Sequence, residues 1–85
     1  MNIKFAESDS DIARCFAVMA QLYPYLGRQE FVGRIKHQQG QGYRLSYVEE
    51  ADGVVAVSGF RVLENLAHGR FLYVDDLKRF SFEWI

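Results

Sequence analysis

Tyr43-Arg44-Leu45-Ser46-Tyr47-Val48-Glu49-Glu50-Ala51-Asp52-Gly53-Val54-Val55-Ala56-Val57-Ser58-Gly59-Phe60-Arg61-Val62-Leu63 is the stretch on which the fold turns. Tyr43, Leu45 and Tyr47 alternate with Arg44, Ser46 and the apolar Val48, the period of two that a half-buried strand needs, so a strand is predicted over Tyr43 to Glu50. Val54 to Leu63 is a longer run rich in β-branched residues and predicts another. Between them Ala51-Asp52-Gly53 supplies an Asp-Gly turn, whose glycine tolerates the positive φ of a tight hairpin. Val54 to Val57 is apolar on both faces, which predicts a central strand with helices on one side and other side chains on the other.

Outward from the hairpin, Arg70 to Leu77 reads as a further strand after the Glu64 to Gly69 connection. On the other side, Gln29 to Gln39 carries Phe31, Val32 and Ile35 on one face and predicts a short helix ended by Gly40. An earlier helix opens at Ser8-Asp9-Ser10, where side-chain oxygens can take free N–H groups and Asp9 and Asp11 favour the positive end of the dipole. Its stripe of Ile12, Cys15, Phe16, Met19 and Leu22 is continuous, and Pro24 ends it inside the structured loop Tyr23-Pro24-Tyr25-Leu26-Gly27. Asn2 to Ala6 alternates Ile3 and Phe5 against Asn2 and Lys4 and predicts the first strand. The order strand, helix, helix, then a three-stranded antiparallel meander is an α/β (α+β) arrangement in one domain over residues 1–85.

Composition narrows the function classes. The formal charge is -1 and no Lys/Arg run occurs, so the electrostatic footprint of nucleic-acid binding is missing. No segment is long and apolar enough to span a bilayer, and Asp9, Asp11 and Arg14 interrupt the N-terminal region, so no membrane partner and a cytoplasmic location are expected. A lone cysteine, Cys15, fits a reducing compartment and reads as a small buried hydrophobe on the helical stripe. His37 and His68 have no Cys, Asp or Glu neighbours at metal-ligand spacing, so no metal site is expected.

Several segments together resemble the first half of the GNAT superfamily of N-acetyltransferases. They are Ser8-Asp9-Ser10-Asp11-Ile12, Met19-Ala20-Gln21-Leu22, Glu30-Phe31-Val32, Gly42-Tyr43-Arg44-Leu45, Val55-Ala56-Val57-Ser58-Gly59-Phe60-Arg61 and Leu72-Tyr73-Val74-Asp75-Asp76-Leu77, which span most of the chain. The resemblance implies transfer of acetyl from acetyl-CoA to an amine. It also implies that the fourth strand leads into a loop of the form Arg/Gln-x-x-Gly-x-Gly/Ala that opens a helix and holds the cofactor's pyrophosphate on main-chain N–H groups. Here Leu77 is followed by Lys78-Arg79-Phe80-Ser81-Phe82-Glu83-Trp84-Ile85, without glycine. The expectation is therefore a truncated GNAT-like segment that is inactive by itself: acetyl-CoA is the cofactor of the full-length family, and none is expected for this chain. His37-Gln38-Gln39-Gly40-Gln41-Gly42 has the glycine spacing of that loop but leads into a strand, and reads as a helix stop and linker.

The resemblance points to Asp75 and Asp76 as acids near strand four that could take a proton from an acceptor amine, and to Tyr23, Tyr25 and Tyr47 as borders of the acceptor site. Adjacent strand residues point to opposite faces, so at most one of the two aspartates is expected in a common pocket; as ordinary surface carboxylates both would be solvated. The tyrosines would otherwise pack at the rim of a small core. The alternative function is that of a small, non-catalytic homodimeric interaction protein. Phe71, Tyr73 and Leu77 alternate with Leu72, Val74 and Asp76 along an open edge, and the tail continues with Phe80, Phe82 and Trp84. A homodimer joined through Phe71, Tyr73, Phe80, Phe82 and Trp84 is expected from that pattern.

Overall fold

The two strands expected between Tyr43 and Leu63 do pair as a hairpin. In the computed structural model, which describes residues 2–51 and 53–81, β2 (Arg44–Glu50) runs antiparallel to β3 (Gly53–Asn65), with Glu50 opposite Gly53. Gly53 adopts φ 124°, a conformation open to glycine at little cost. Asp52 of the turn and Phe82 and Trp84 of the tail lie outside the described residues. β1 (Ile3–Phe5) pairs antiparallel with β2, and β4 (Gly69–Arg79) with β3, giving the sheet order β1-β2-β3-β4. The chain is mixed α+β, with the strand, helical segment and antiparallel meander in the predicted order. β3 lies inside the sheet between β2 and β4, as expected, but helices cover one of its faces and no second layer covers the other among the described residues.

The helical segment between β1 and β2 holds α1 (Asp9–Arg14), α2 (Phe16–Leu22) and α3 (Arg28–Gln39). Ser8 Oγ accepts from Asp11 N–H at 3.1 Å and caps α1. The predicted single helix is broken at Cys15. There the Cys15 N–H donates to the Ile12 carbonyl, a three-residue step, while the thiol donates to the Asp11 carbonyl at 3.5 Å. The side chain thus takes the acceptor that the regular ladder would use, and the turn tightens.

α3 ends at Gly40, but Gly40 keeps right-handed angles and the left-handed residue is Gly42, with φ 91°. Tyr43 N–H donates to the Gln38 carbonyl and Gly42 N–H to the Gln39 carbonyl, the paired bonds of a Schellman turn. The glycine pair Gly40 and Gly42 is therefore a helix stop. It also fixes the direction in which Tyr43 enters the sheet.

All three helices lie on one face. Ile12, Cys15, Val18 and Met19 meet Phe31 and Ile35 above Leu45, Tyr47 and Val57, and all are buried. Full burial of each large side chain contributes about 1.5–3 kcal/mol. Burial pushes the Cys15 thiol from 9.0 up to about 12, which leaves it an unreactive hydrophobe. Among the described residues no helix is long and apolar enough to cross a membrane.

Two irregularities change which side chains share a face. Val48 opposes Ala56 and Glu49 opposes Val54, so Val55 is extra; Gly59 opposes Asp76 and Phe60 opposes Val74, so Asp75 is extra. The second bulge corrects the expected alternation of β4. Asp76 joins Phe71 and Tyr73 on the helix-covered face, whereas Leu77 joins Leu72 and Val74 on the other, because one unpaired residue resets the period of two. That other face is largely bare: Ile3, Leu72 and Leu77 are 67%, 60% and 72% exposed.

Candidate functional site

Where the loop after α2, the α3 face and the β4 bulge converge, they enclose a cleft of about 310 Å³. Met19, Leu26, Phe31 and Ile35 form its apolar floor, and its polar wall is made by Tyr23, Tyr43, Gln38, Arg61, Asp75 and Asp76, with Tyr25 and Arg34 completing the lining. Both aspartates line it. The expectation that at most one could reach a common pocket assumed unbroken alternation, and the bulge at Asp75 removes that restriction.

Asp76 is the acceptor of two phenols. Tyr43 Oη donates to Asp76 Oδ2 at 2.7 Å, and Tyr23 Oη donates to Asp76 Oδ1. Tyr43 lies flat across β3 because Gly59 has no side chain: a Cβ there would collide with the phenol. The hydrogen bond to Asp76, with some burial, pushes the Tyr23 phenol up to about 12 from an ordinary 10.0. Burial, reinforced by its own bond to Asp76, raises Tyr43 as well. Both phenols therefore stay protonated donors through neutral pH, and each keeps oxygen lone pairs for a further partner.

Beside them Arg61 is held on every nitrogen. Its Nε donates to Asp75 Oδ2 at 3.1 Å, Nη1 to the Gln41 carbonyl at 3.3 Å and Nη2 to Gln38 Oε1. The guanidinium also lies 5.4 Å from the Tyr43 ring centroid, near enough for cation–π attraction. The Schellman turn makes this possible, since it presents Gln38, Gln41 and Tyr43 together. Asp75 and Arg61 thus neutralise each other. Asp76 has neutral donors, and among the described residues it forms no ion pair.

Tyr23 and Tyr25 stand at the cleft with ring centroids 6.1 Å apart. Tyr47 is elsewhere: it is buried in the core beneath Arg14, whose guanidinium lies 5.7 Å from its ring and also pairs with Glu49. Sequence reasoning missed Tyr43, Arg61 and Gln38 as site residues. Gly59 was the available signal, a glycine within a strand that marks close approach of another group. Phe80 packs half-buried against the core of its own chain, and Gln21 brackets Ser81 by giving one hydrogen bond to its carbonyl and taking one from its N–H, each 2.8 Å. Phe71 is half-buried and Tyr73 exposed on β4. Among the described residues no group of three or more His, Cys, Asp or Glu side chains converges as a metal site. Compared with protein-family models, curated protein sequences and solved structures, the chain matches none of them.

Proposed function

We propose that the chain is the acceptor-binding portion of a GNAT-type N-acetyltransferase fold, in which Asp76 anchors an amine and these residues alone do not turn acetyl-CoA over. One observation carries the reading: the bulge at Asp75 turns both carboxylates into a cleft walled by the loop after α2. An ammonium there meets a carboxylate that forms no ion pair among the described residues, flanked by phenol oxygens that can accept its remaining N–H bonds. Acetyl-CoA asks instead for main-chain N–H groups around glycines at a helix start, and residues 78–85 contain no glycine. Titration calorimetry on the 85-residue chain tests both halves. Hexylamine is expected to bind saturably and acetyl-CoA not to bind below the millimolar range. Micromolar acetyl-CoA affinity, about 8 kcal/mol of binding free energy, overturns the cofactor half. Amine binding that is absent, or that Asp76→Asn leaves unchanged, overturns the acceptor half.

A second reading is favoured by the open side of the sheet. β4 is an eleven-residue strand at the edge of the sheet formed by the described residues, and the exposed Leu72, Val74 and Leu77 lie on its bare face. In this reading the chain is a small cytoplasmic homodimer. A two-fold axis brings β4 against its own copy in antiparallel register, with Phe71 and Tyr73 at the seam. Sedimentation at micromolar concentration is expected to give twice the chain mass, and a monomer there removes this reading.

A further inference from the structure

We infer that the cleft is built for a small zwitterion, with its ammonium at Asp76 and its carboxylate at Arg34, joined by a short apolar frame. This rests on the acceptor-amine reading and names the class of amine.

Four charged side chains line the cleft, and two of them cancel. Arg61 and Asp75 are paired at 3.1 Å, and the other two nitrogens of Arg61 each hold a neutral acceptor, so the pair carries no net charge toward a ligand. Asp76 remains, held among the described residues by two neutral phenols. Arg34 remains as well. Among the described residues its ion pair is with Glu30 at 3.9 Å, and both side chains are more than half exposed, at 56% and 61%. A pair of that kind is worth little and yields readily to a better anion.

Geometry separates the two free charges. Arg34 precedes Gln38 by one turn of α3, and Gln38 reaches Asp76 only through Arg61 and Tyr43. Leu26, Phe31 and Ile35 line the same cleft, and their side chains offer no polar atom and suit methylene groups. The volume of about 310 Å³ lies at the small end of ligand cavities, a size that suits a small molecule. A plain alkylamine leaves Arg34 unanswered, and a plain carboxylate is repelled by Asp76. A molecule carrying both charges satisfies both ends.

The test compares charge patterns on matched frames by following proton–nitrogen correlation spectra of the whole chain. The probes are 4-aminobutanoate and 6-aminohexanoate, set against butylamine, hexylamine and hexanoate. The better amino acid is expected to bind about tenfold more tightly than its matching alkylamine, the gain of one charge-assisted contact. Arg34→Gln, a change at an exposed side chain, is expected to abolish that preference without weakening alkylamine binding. Equal affinity of amino acid and alkylamine in the unaltered chain overturns the zwitterion inference while the amine reading stands, as does an intact preference in Arg34→Gln. If neither amino acids nor alkylamines shift the cleft resonances, both the inference and the amine reading fail.

Discussion

The two faces of the sheet are built from the same strands, yet their side chains do different work. The covered face carries Leu45, Tyr47 and Val57 under the helices, and then, past the bulge, the carboxylate of Asp76. The bare face carries Ile3, Leu72, Val74 and Leu77, which nothing among the described residues packs over. Stability and chemistry therefore share one side and surface apolarity the other. A backbone irregularity, rather than composition, decides where each residue falls.

Leu45→Ala empties a fully buried position and should cost about 2–5 kcal/mol, read from urea unfolding; a loss under about 1 kcal/mol would show the helix face to be loosely packed. Gly59→Ala drives a methyl group into the Tyr43 phenol, and a shift of about 1–3 kcal/mol is expected for such overpacking. A neutral result would mean that Tyr43 does not lie across β3.

Tyr43→Phe removes one of the two donors to Asp76, with an expected loss of about 1.5 kcal/mol, typical of a hydrogen bond to a charged acceptor. The same site gives the sign of an alkaline effect. Folding raises Tyr23 from 10.0 to about 12 and Cys15 from 9.0 to about 12, so the folded state favours the protonated forms. Their stabilisation is complete below the unfolded values and is lost as pH climbs from about 9 to 12. Urea midpoints should fall across that window. Replacing Tyr23 and Tyr43 together by Phe should remove the phenol share and leave the thiol share; a flat profile in the unaltered chain contradicts the packing of both.

The smallest effect belongs to the bare face. Leu77→Ser should change monomer stability by less than about 0.5 kcal/mol, because the side chain is already in solvent. In the homodimer reading it weakens self-association instead, which sedimentation distinguishes.

The order of elements was legible because it rests on periodicities that span many residues, and the hairpin because Gly53 marks its turn. The site was legible only in part. Asp75, Asp76, Tyr23 and Tyr25 were named from the resemblance and do meet at the cleft, whereas Tyr47 was named with them and is core. What could not be read was local backbone geometry. The three-residue step at Cys15 depends on a thiol finding the Asp11 carbonyl, and the bulge depends on Asp75 finding Arg61 across the strands. Arg61 and Gln38 became site residues only because the Gly42 turn folds the end of α3 back over the sheet.

The extra residue in β4 also makes the strand unequally sensitive to changes in chain length. Removing Asp75 should close the ladder into continuous pairing, with Val74 opposite Phe60 and Asp76 opposite Gly59 as they already are, so that no side chain changes face. Removing Leu72 should instead force one side of the gap to exchange its inward and outward residues, setting Phe71 or Tyr73 against the wrong neighbours. A chain shortened at 75 is then expected to unfold cooperatively while lacking the anion that holds Arg61, and a chain shortened at 72 to lose its sharp transition. Position 75 is thus a place where a one-residue deletion removes an interaction and spares the architecture.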